Sequence, residues 1–336
     1  PMARADLLLS IIRSGSQGNQ ADFRRAVESL IAEERARQHH VLADQLAENL
    51  KIAERGGGPS PSGLGVIRPA IADEKLRDLL IETVPRRRLD DLVLPDAVLQ
   101  VCEELVEEHS RIDVLRSHGL EPRHRLLLCG PPGNGKTSLA EALAERLAVP
   151  LLTLRYDSLM GSLLGETAGR LRKVFDHVRT RPCVLFFDEF ETLGKERGDT
   201  HETGEVKRVV SSLLLQIDQL PSYVVVIGAS NHPELLDRAV WRRFQVRLEL
   251  PSPTRAQLER LFARFEARLG KKLGLTPRTL AEKLRGSNFA EAEAFCADIL
   301  RRYALSLEQG NLPEIVRSRI AQWQARLTPP PVPPKD

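Results

Sequence analysis

Along the first fifty residues the apolar positions recur at helical spacing. In "ADLLLSIIRSG" they form a short run that Gly15 and Gly18 stop; Phe23, Val27, Leu30 and Ile31 then share one face, and Leu42, Leu46 and Leu50 share another. The charges between them, such as Glu33, Glu34, Arg35 and Arg37, read as a solvated surface. "RGGGPSPSGLG", residues 55–65, has no apolar period and the composition of a flexible linker. The stretch "AIADEKLRDLLIETV" predicts a helical connector leading to "LDDLVLP", where the main domain begins at Leu89. From there the period changes. Five short apolar runs, "RLLLC", "PLLTL", "CVLFF", "YVVVIGA" and "VRLEL", alternate with helical stretches, the pattern of an α/β fold built on a buried parallel sheet. After Pro251 the spacing is helical through Leu327 and predicts a small helical lid, and "TPPPVPPKD" is a Pro-rich tail. The expected organisation is a helical recruitment module at 2–55, a linker and helical connector at 56–88, a large α/β subdomain at 89–251, a helical lid at 252–327 and a disordered tail at 328–336.

Candidate chemistry sits at the ends of two of the predicted strands. "GPPGNGKTS" follows "RLLLC" and precedes an amphipathic helix, so Gly130, Gly133, Gly135, Lys136 and Thr137 satisfy G-x-x-x-x-G-K-[ST] in the strand-to-helix context that a P-loop requires. The glycines let successive N–H groups point at phosphate oxygens, and the helix that follows adds its positive end. Gly130, Pro131, Pro132, Gly133, Asn134, Gly135, Lys136, Thr137 and Ser138 are therefore the expected nucleotide cradle, with Lys136 on the β- and γ-phosphates and the Thr137 hydroxyl on Mg²⁺. "CVLFFDEFETL" is an apolar strand ending in Asp188 and Glu189. Behind a P-loop, Asp188 is placed to hold Mg²⁺ and Glu189 to polarise the attacking water as a general base. ATP and Mg²⁺ are the expected cofactors.

Composition narrows the setting more than the chemistry. With 336 residues the chain can bury a sizeable core in one large or two ordinary domains. The 49 basic and 46 acidic residues leave a net charge of only +3, which disfavours a dedicated nucleic-acid binder. Cys102, Cys129, Cys183 and Cys296 have no C-x-x-C spacing and read as reduced core thiols. His39 and His40 have no third ligand at useful spacing and read as surface histidines. Neither a signal peptide nor a bilayer-length apolar run is evident, so a cytoplasmic location away from the membrane is expected.

Over residues 89–327 these features resemble the AAA branch of the AAA+ ATPases. Beyond the two nucleotide motifs, "GASNHPELLDRAVWRRFQVRLELP" resembles that family's second region of homology. The resemblance implies a fourth strand inserted between the P-loop strand and the acidic strand, with Asn231 as the polar sensor at its end; the bland alternative is that Asn231 caps the turn before Pro233. It implies that Arg242 or Arg243 is an arginine finger supplied to a neighbouring subunit, Arg243 aligning best, and hence a homo-oligomer, expected as a hexameric ring. In "GSNFAEAEAFCADIL", Asn288 and Phe289 match the family's start of a lid helix, and no arginine occupies the second sensor position, which favours protein remodelling over DNA loading. Where threading members carry an aromatic, a hydrophobic residue and a glycine in a pore loop, this chain has Leu163, Leu164 and Gly165. The two leucines either grip a chain without the flat aromatic ring or pack against a neighbour. A polar stretch from Gly194, containing His201, is a second pore segment in the same scheme. The chain is also similar to compact bacterial AAA proteins paired with a subtilisin-like protease in anti-phage defence, although it contains no plausible Ser-His-Asp site of its own. The expected function is an ATP-driven ring that remodels, recruits or regulates a protein partner. A nucleotide-gated scaffold that activates an effector without threading, and a DNA-associated ATPase, are the alternatives.

Overall fold

The computed structural model describes residues 27–29, 31–32, 74–155, 164–192, 203–306 and 310–327. The chain divides into two compact units, residues 1–66 and 67–336. In the first unit, Val27 and Ile31 are helical and buried, as the spacing predicts for that face. Phe23 and Leu30, the remaining stretches expected to be N-terminal helices, His39, His40 and the expected linker at 55–65 lie outside the described residues, as do Leu163, the 193–202 stretch with His201, and the Pro-rich tail.

The second unit is built on a six-stranded sheet. After α1 (Glu74–Arg77) come β1 (Leu80–Thr83), α2 (Asp96–Ser110), α3 (Ile112–Ser117), β2 (Arg125–Cys129) and α4 (Lys136–Arg146). There follow β3 (Leu151–Leu154), α5 (Leu164–Val178), β4 (Cys183–Phe187), α6 (Thr203–Asp218), β5 (Val224–Ser230), α7 (Arg238–Arg243) and β6 (Val246–Glu249). The strand order is β1-β3-β4-β5-β2-β6, parallel throughout except for β1, which runs antiparallel to β3. Thus β5 lies between the P-loop strand and the acidic strand, with Cys129 level with Ser230 and Phe187 with Gly228.

All five residues of β4 and all seven of β5 are buried, because helices cover both faces. Alternate side chains feed two cores. Leu127, Leu185 and Phe187 pack with Phe175 of α5 and Ile217 of α6. Leu126, Leu128 and Phe186 pack with Leu105 of α2 and Leu139 and Leu143 of α4.

The helical connector expected through 70–84 is corrected here. Of its described residues only Glu74–Arg77 are helical, and Leu80–Thr83 is a strand; residues 70–73 lie outside the described residues. Leu76, Leu79 and Leu80 have helix-like spacing, yet their burial is achieved at the edge of the sheet, where the β1 backbone pairs with β3 and the three leucines enter the core beneath it. The sheet is consequently mixed rather than wholly parallel.

Beyond β6, α8 (Arg255–Leu269), α9 (Pro277–Lys283), α10 (Phe289–Leu305) and α11 (Leu312–Leu327) gather around Phe262, Phe295, Ile299 and Val316. Their starts are written locally. Thr254 with Gln257 and Asn288 with Glu291 form capping boxes, and Thr276 caps α9 ahead of Pro277. Val93, from the segment before α2, also enters this core.

Candidate nucleotide-binding site

Close packing dictates two glycines of the loop between β2 and α4, and backbone conformation the third. Gly130 has φ +144°, and a Cβ there would lie 2.2 Å from the carbonyl oxygen of Leu250. Gly133 has φ +76°, and its Cβ would meet the Asn288 side chain at 2.7 Å. Gly135, at φ 87°, precedes α4 in the left-handed region that glycine adopts without strain. The loop delivers the chain into α4 with no side-chain cap, leaving first-turn N–H groups of the kind that bind anions.

Lys136 is only 6% exposed, and its Nζ donates to the carbonyls of Gly130 at 2.6 Å and Pro131 at 3.0 Å. Burial lowers its pKa, and the nearby Asp188 and Glu191 carboxylates oppose that shift. Thr137 Oγ1 donates to Asp188 Oδ2 at 3.1 Å, and the other oxygen of Asp188 accepts the Glu189 amide at 3.0 Å. Glu189 itself has φ +47°, uncommon for a residue with a side chain. The next residue fixes that conformation: the Phe190 amide donates to the Ala229 carbonyl, and its ring lies edge-on between Phe187 at 5.6 Å and Phe244 at 5.7 Å. Asn231 follows β5, and its backbone N–H donates to Glu191 Oε1 at 3.1 Å.

These residues surround one cavity of about 580 Å³. Pro132 to Ser138, Asp188, Glu189 and Asn231 line its polar side, while Leu92, Val93, Leu94, Leu261, Phe265 and Phe289 give it an apolar wall. The polar end suits phosphates and the apolar end a planar base. Asn134 is 3% exposed, with neither side-chain atom partnered among the described residues, and Glu191 Oε2 is likewise buried without a hydrogen bond. Of the two, Asn134 lines the cavity, and buried polar atoms left in this state there favour a polar ligand.

Arg242 and Arg243 do not line the cavity. They close α7, and Arg243 turns back on its own chain, with Nε 3.2 Å from Asp218 Oδ2 and Nη1 donating to the Ala239 carbonyl. Asp218 is held in turn by Arg125 at 2.7 Å. Arg242 is exposed, with no ion pair among the described residues. Leu164 and Gly165 begin α5 and so are helical rather than loop residues.

The family model described as "ATPase family associated with various cellular activities (AAA)" matches residues 126–252. A protein of Sinorhizobium fredii named as an uncharacterized AAA family ATPase, y4kL, is 37% identical over 300 residues, covering 89% of each chain. The chain belongs to the AAA ATPase family. As an AAA chain it carries that family's nucleotide binding and ATPase activity in general. Two further relatives are longer proteins of which it matches a part. The peroxisomal ATPase pex6 of Schizosaccharomyces pombe is 38% identical over 168 residues, which is 48% of this chain and 18% of the relative. A cell division cycle protein 48 homolog of Archaeoglobus fulgidus is 32% identical over 262 residues, which is 76% of this chain and 34% of the relative.

Within this AAA fold the sequence motifs account for the polar half of the cavity. They did not single out the wall at Leu92 to Leu94, the lid residues Leu261, Phe265 and Glu293, or Arg87, which also line it. Glu191 was legible only as the fourth residue of "DEFE", and "LDDLVLP" only as the start of the domain. Among the described residues no helix is long and apolar enough to cross a membrane.

Proposed function

We propose that this chain hydrolyses MgATP in a homo-oligomeric ring, expected as a hexamer, and uses the cycle to remodel or regulate a protein partner. The observation that carries this is the meeting of the P-loop, Asp188, Glu189 and Asn231 around one cavity that the lid helices close on the other side. The residues present fit a metal-nucleotide complex: Thr137 and Asp188 are already within hydrogen-bonding distance, and the buried Asn134 amide stands unpartnered beside them. Thr137 and Asp188 would hold Mg²⁺, which when bound neutralises charge on the β- and γ-phosphate oxygens. Lys136 exchanges its two carbonyl acceptors for phosphate oxygens. Glu189 accepts a proton from the attacking water, and the Asn231 amide orients that water. Arg242 of a neighbouring copy of this chain, left exposed while Arg243 is engaged by Asp218, stabilises the developing charge from outside.

The partner is a subtilisin-like protease in a bacterial anti-phage system, a reading supported only by the sequence resemblance. Leu163 in place of an aromatic favours regulation of that partner over strong processive threading. The test is the Glu189→Gln chain expressed in its host and isolated under ATP. It should bind ATP and hydrolyse it at least about 100-fold more slowly than the wild type. A stoichiometric protease among the retained proteins supports the regulated effector. A spread of unfolded proteins that disappears on Leu163→Ala indicates threading, and nuclease-sensitive retention indicates a DNA-associated ATPase.

A further inference from the structure

The segment that leads from β1 to the main domain, "VPRRR" at 84–88, is strapped along the P-loop helix. The amides of Arg86 and Arg87 both donate to Glu141 Oε1, at 3.0 and 3.3 Å, and Arg88 Nε lies 3.5 Å from Glu145 Oε1. Positions 138, 141 and 145 are three and four apart and share one face of α4. From this strap Arg87 reaches in two directions. Its Nη1 donates to Ser138 Oγ at 2.7 Å, and its Nη2 lies 3.4 Å from Glu293 Oε2 on α10 of the lid. Arg87, Ser138 and Glu293 all line the nucleotide cavity.

Charge makes this more than a tether. Ser138 lies in the first turn of α4, the end at which unpaired N–H groups favour an anion. Glu293 brings a carboxylate from the lid toward the same space, while the two lid cations that also line the cavity, Arg264 and Arg268 of α8, are turned to the segment before α2, Arg264 donating to the Asp90 and Leu92 carbonyls and Arg268 lying 3.7 Å from Asp91. Arg87 is the cation between them. A guanidinium has more N–H donors than these two contacts use and matches phosphate oxygens in pairs.

We propose that Arg87 binds the phosphate chain of the nucleotide and is held ready by Glu293, so that the lid carboxylate and the phosphates compete for one guanidinium. The inference rests on the nucleotide site proposed above and adds a residue from outside the P-loop. Filling of the site then draws Arg87 away from α10, and the lid registers whether phosphate is present.

The test uses the full chain, Mg²⁺ and fluorescently labelled ATP and ADP in equilibrium titrations, with urea unfolding of every variant. Binding by the wild type that is lost in Lys136→Ala establishes the site itself; its absence in the wild type would overturn the nucleotide reading rather than the role of Arg87. Arg87→Ala should then weaken binding about 10- to 100-fold, the range for a lost charge-assisted hydrogen bond, and Arg87→Lys should recover only part of it. Glu293→Gln should tighten binding about threefold or more, and that gain should vanish in the Arg87→Ala background. A purely structural strap would lower the urea midpoint without any tightening by Glu293→Gln. The proposal fails if Arg87→Ala binds within about twofold of wild type, if Glu293→Gln weakens binding, or if its gain survives without Arg87. Should Arg87→Ala not fold, the sign of the Glu293→Gln effect decides alone.

Discussion

Gly133 is where the phosphate loop and the lid touch most closely. Its carbonyl accepts the Ala290 amide at 2.9 Å, and the Asn288 side chain fills the space where a Cβ would be. That side chain cannot swing away freely, because its Oδ1 accepts the Glu291 amide and so caps α10. Gly133→Ala is therefore expected to combine backbone strain of about 1–3 kcal/mol with loss of the cap. Labelled-nucleotide titration should show weaker binding. Asn288→Ala, which removes the cap and leaves the loop unstrained, should cost about 1 kcal/mol in urea unfolding and spare more of the affinity. The glycine spacing was legible in the sequence because a P-loop is a local pattern. Its contact with Asn288 was not, since it joins residues that only the fold brings together. For the same reason nothing in "PRRR" marks Arg87 rather than Arg86 or Arg88 as the one that enters the cavity.

Among the described residues of the main domain, the five expected strands are present, whereas Leu80–Thr83, which needs a distant partner, and the helical start at Leu164 and Gly165 were not foreseen. The strands β2, β4 and β5 are legible as near-continuous apolar runs and β6 by its alternation of apolar and charged residues, each bounded by turn residues. Leu80–Thr83 is too short and too ambiguous in period to declare itself, and becomes a strand only because the outer edge of β3 is available. The acidic strand shows how an element shapes its own end. Phe190 is wedged between Phe187 and Phe244, and its amide is tied to Ala229 of β5, so the backbone at Glu189 has little freedom. Phe190→Ala should cost about 3–5 kcal/mol in chemical denaturation. ATP hydrolysis should fall further than ATP binding, as a split between kcat and Kd, because Lys136 and Thr137 stand on a different element.

For the molecule as a whole, burial of four thiols sets a limit at alkaline pH. Burial is the main cause that pushes Cys102, Cys183 and Cys296 up to about 12 and Cys129 up to about 11, from an ordinary value of 9.0. In the unfolded chain these thiols ionise first, so the folded state holds more protons above pH 9 and the stability they contribute is lost as pH rises toward the folded values. The slope is at most about 1.4 kcal/mol per pH unit for each thiol. Urea midpoints should fall between pH 8 and pH 10, less steeply after Cys102→Ala or Cys183→Ala, and none of the four thiols should react with a thiol reagent at pH 8 until the chain unfolds. The strand order has its own bearing on how the protein is made. Both neighbours of β2 are encoded after it, with β5 beginning at Val224 and β6 at Val246. During synthesis the leucines of "RLLLC" leave the ribosome with no strand to pair with until roughly 100 further residues have been added. A chain cut short ahead of Val224 is thus expected to aggregate instead of acting as a smaller ATPase, with the unpaired β2 as the exposed edge.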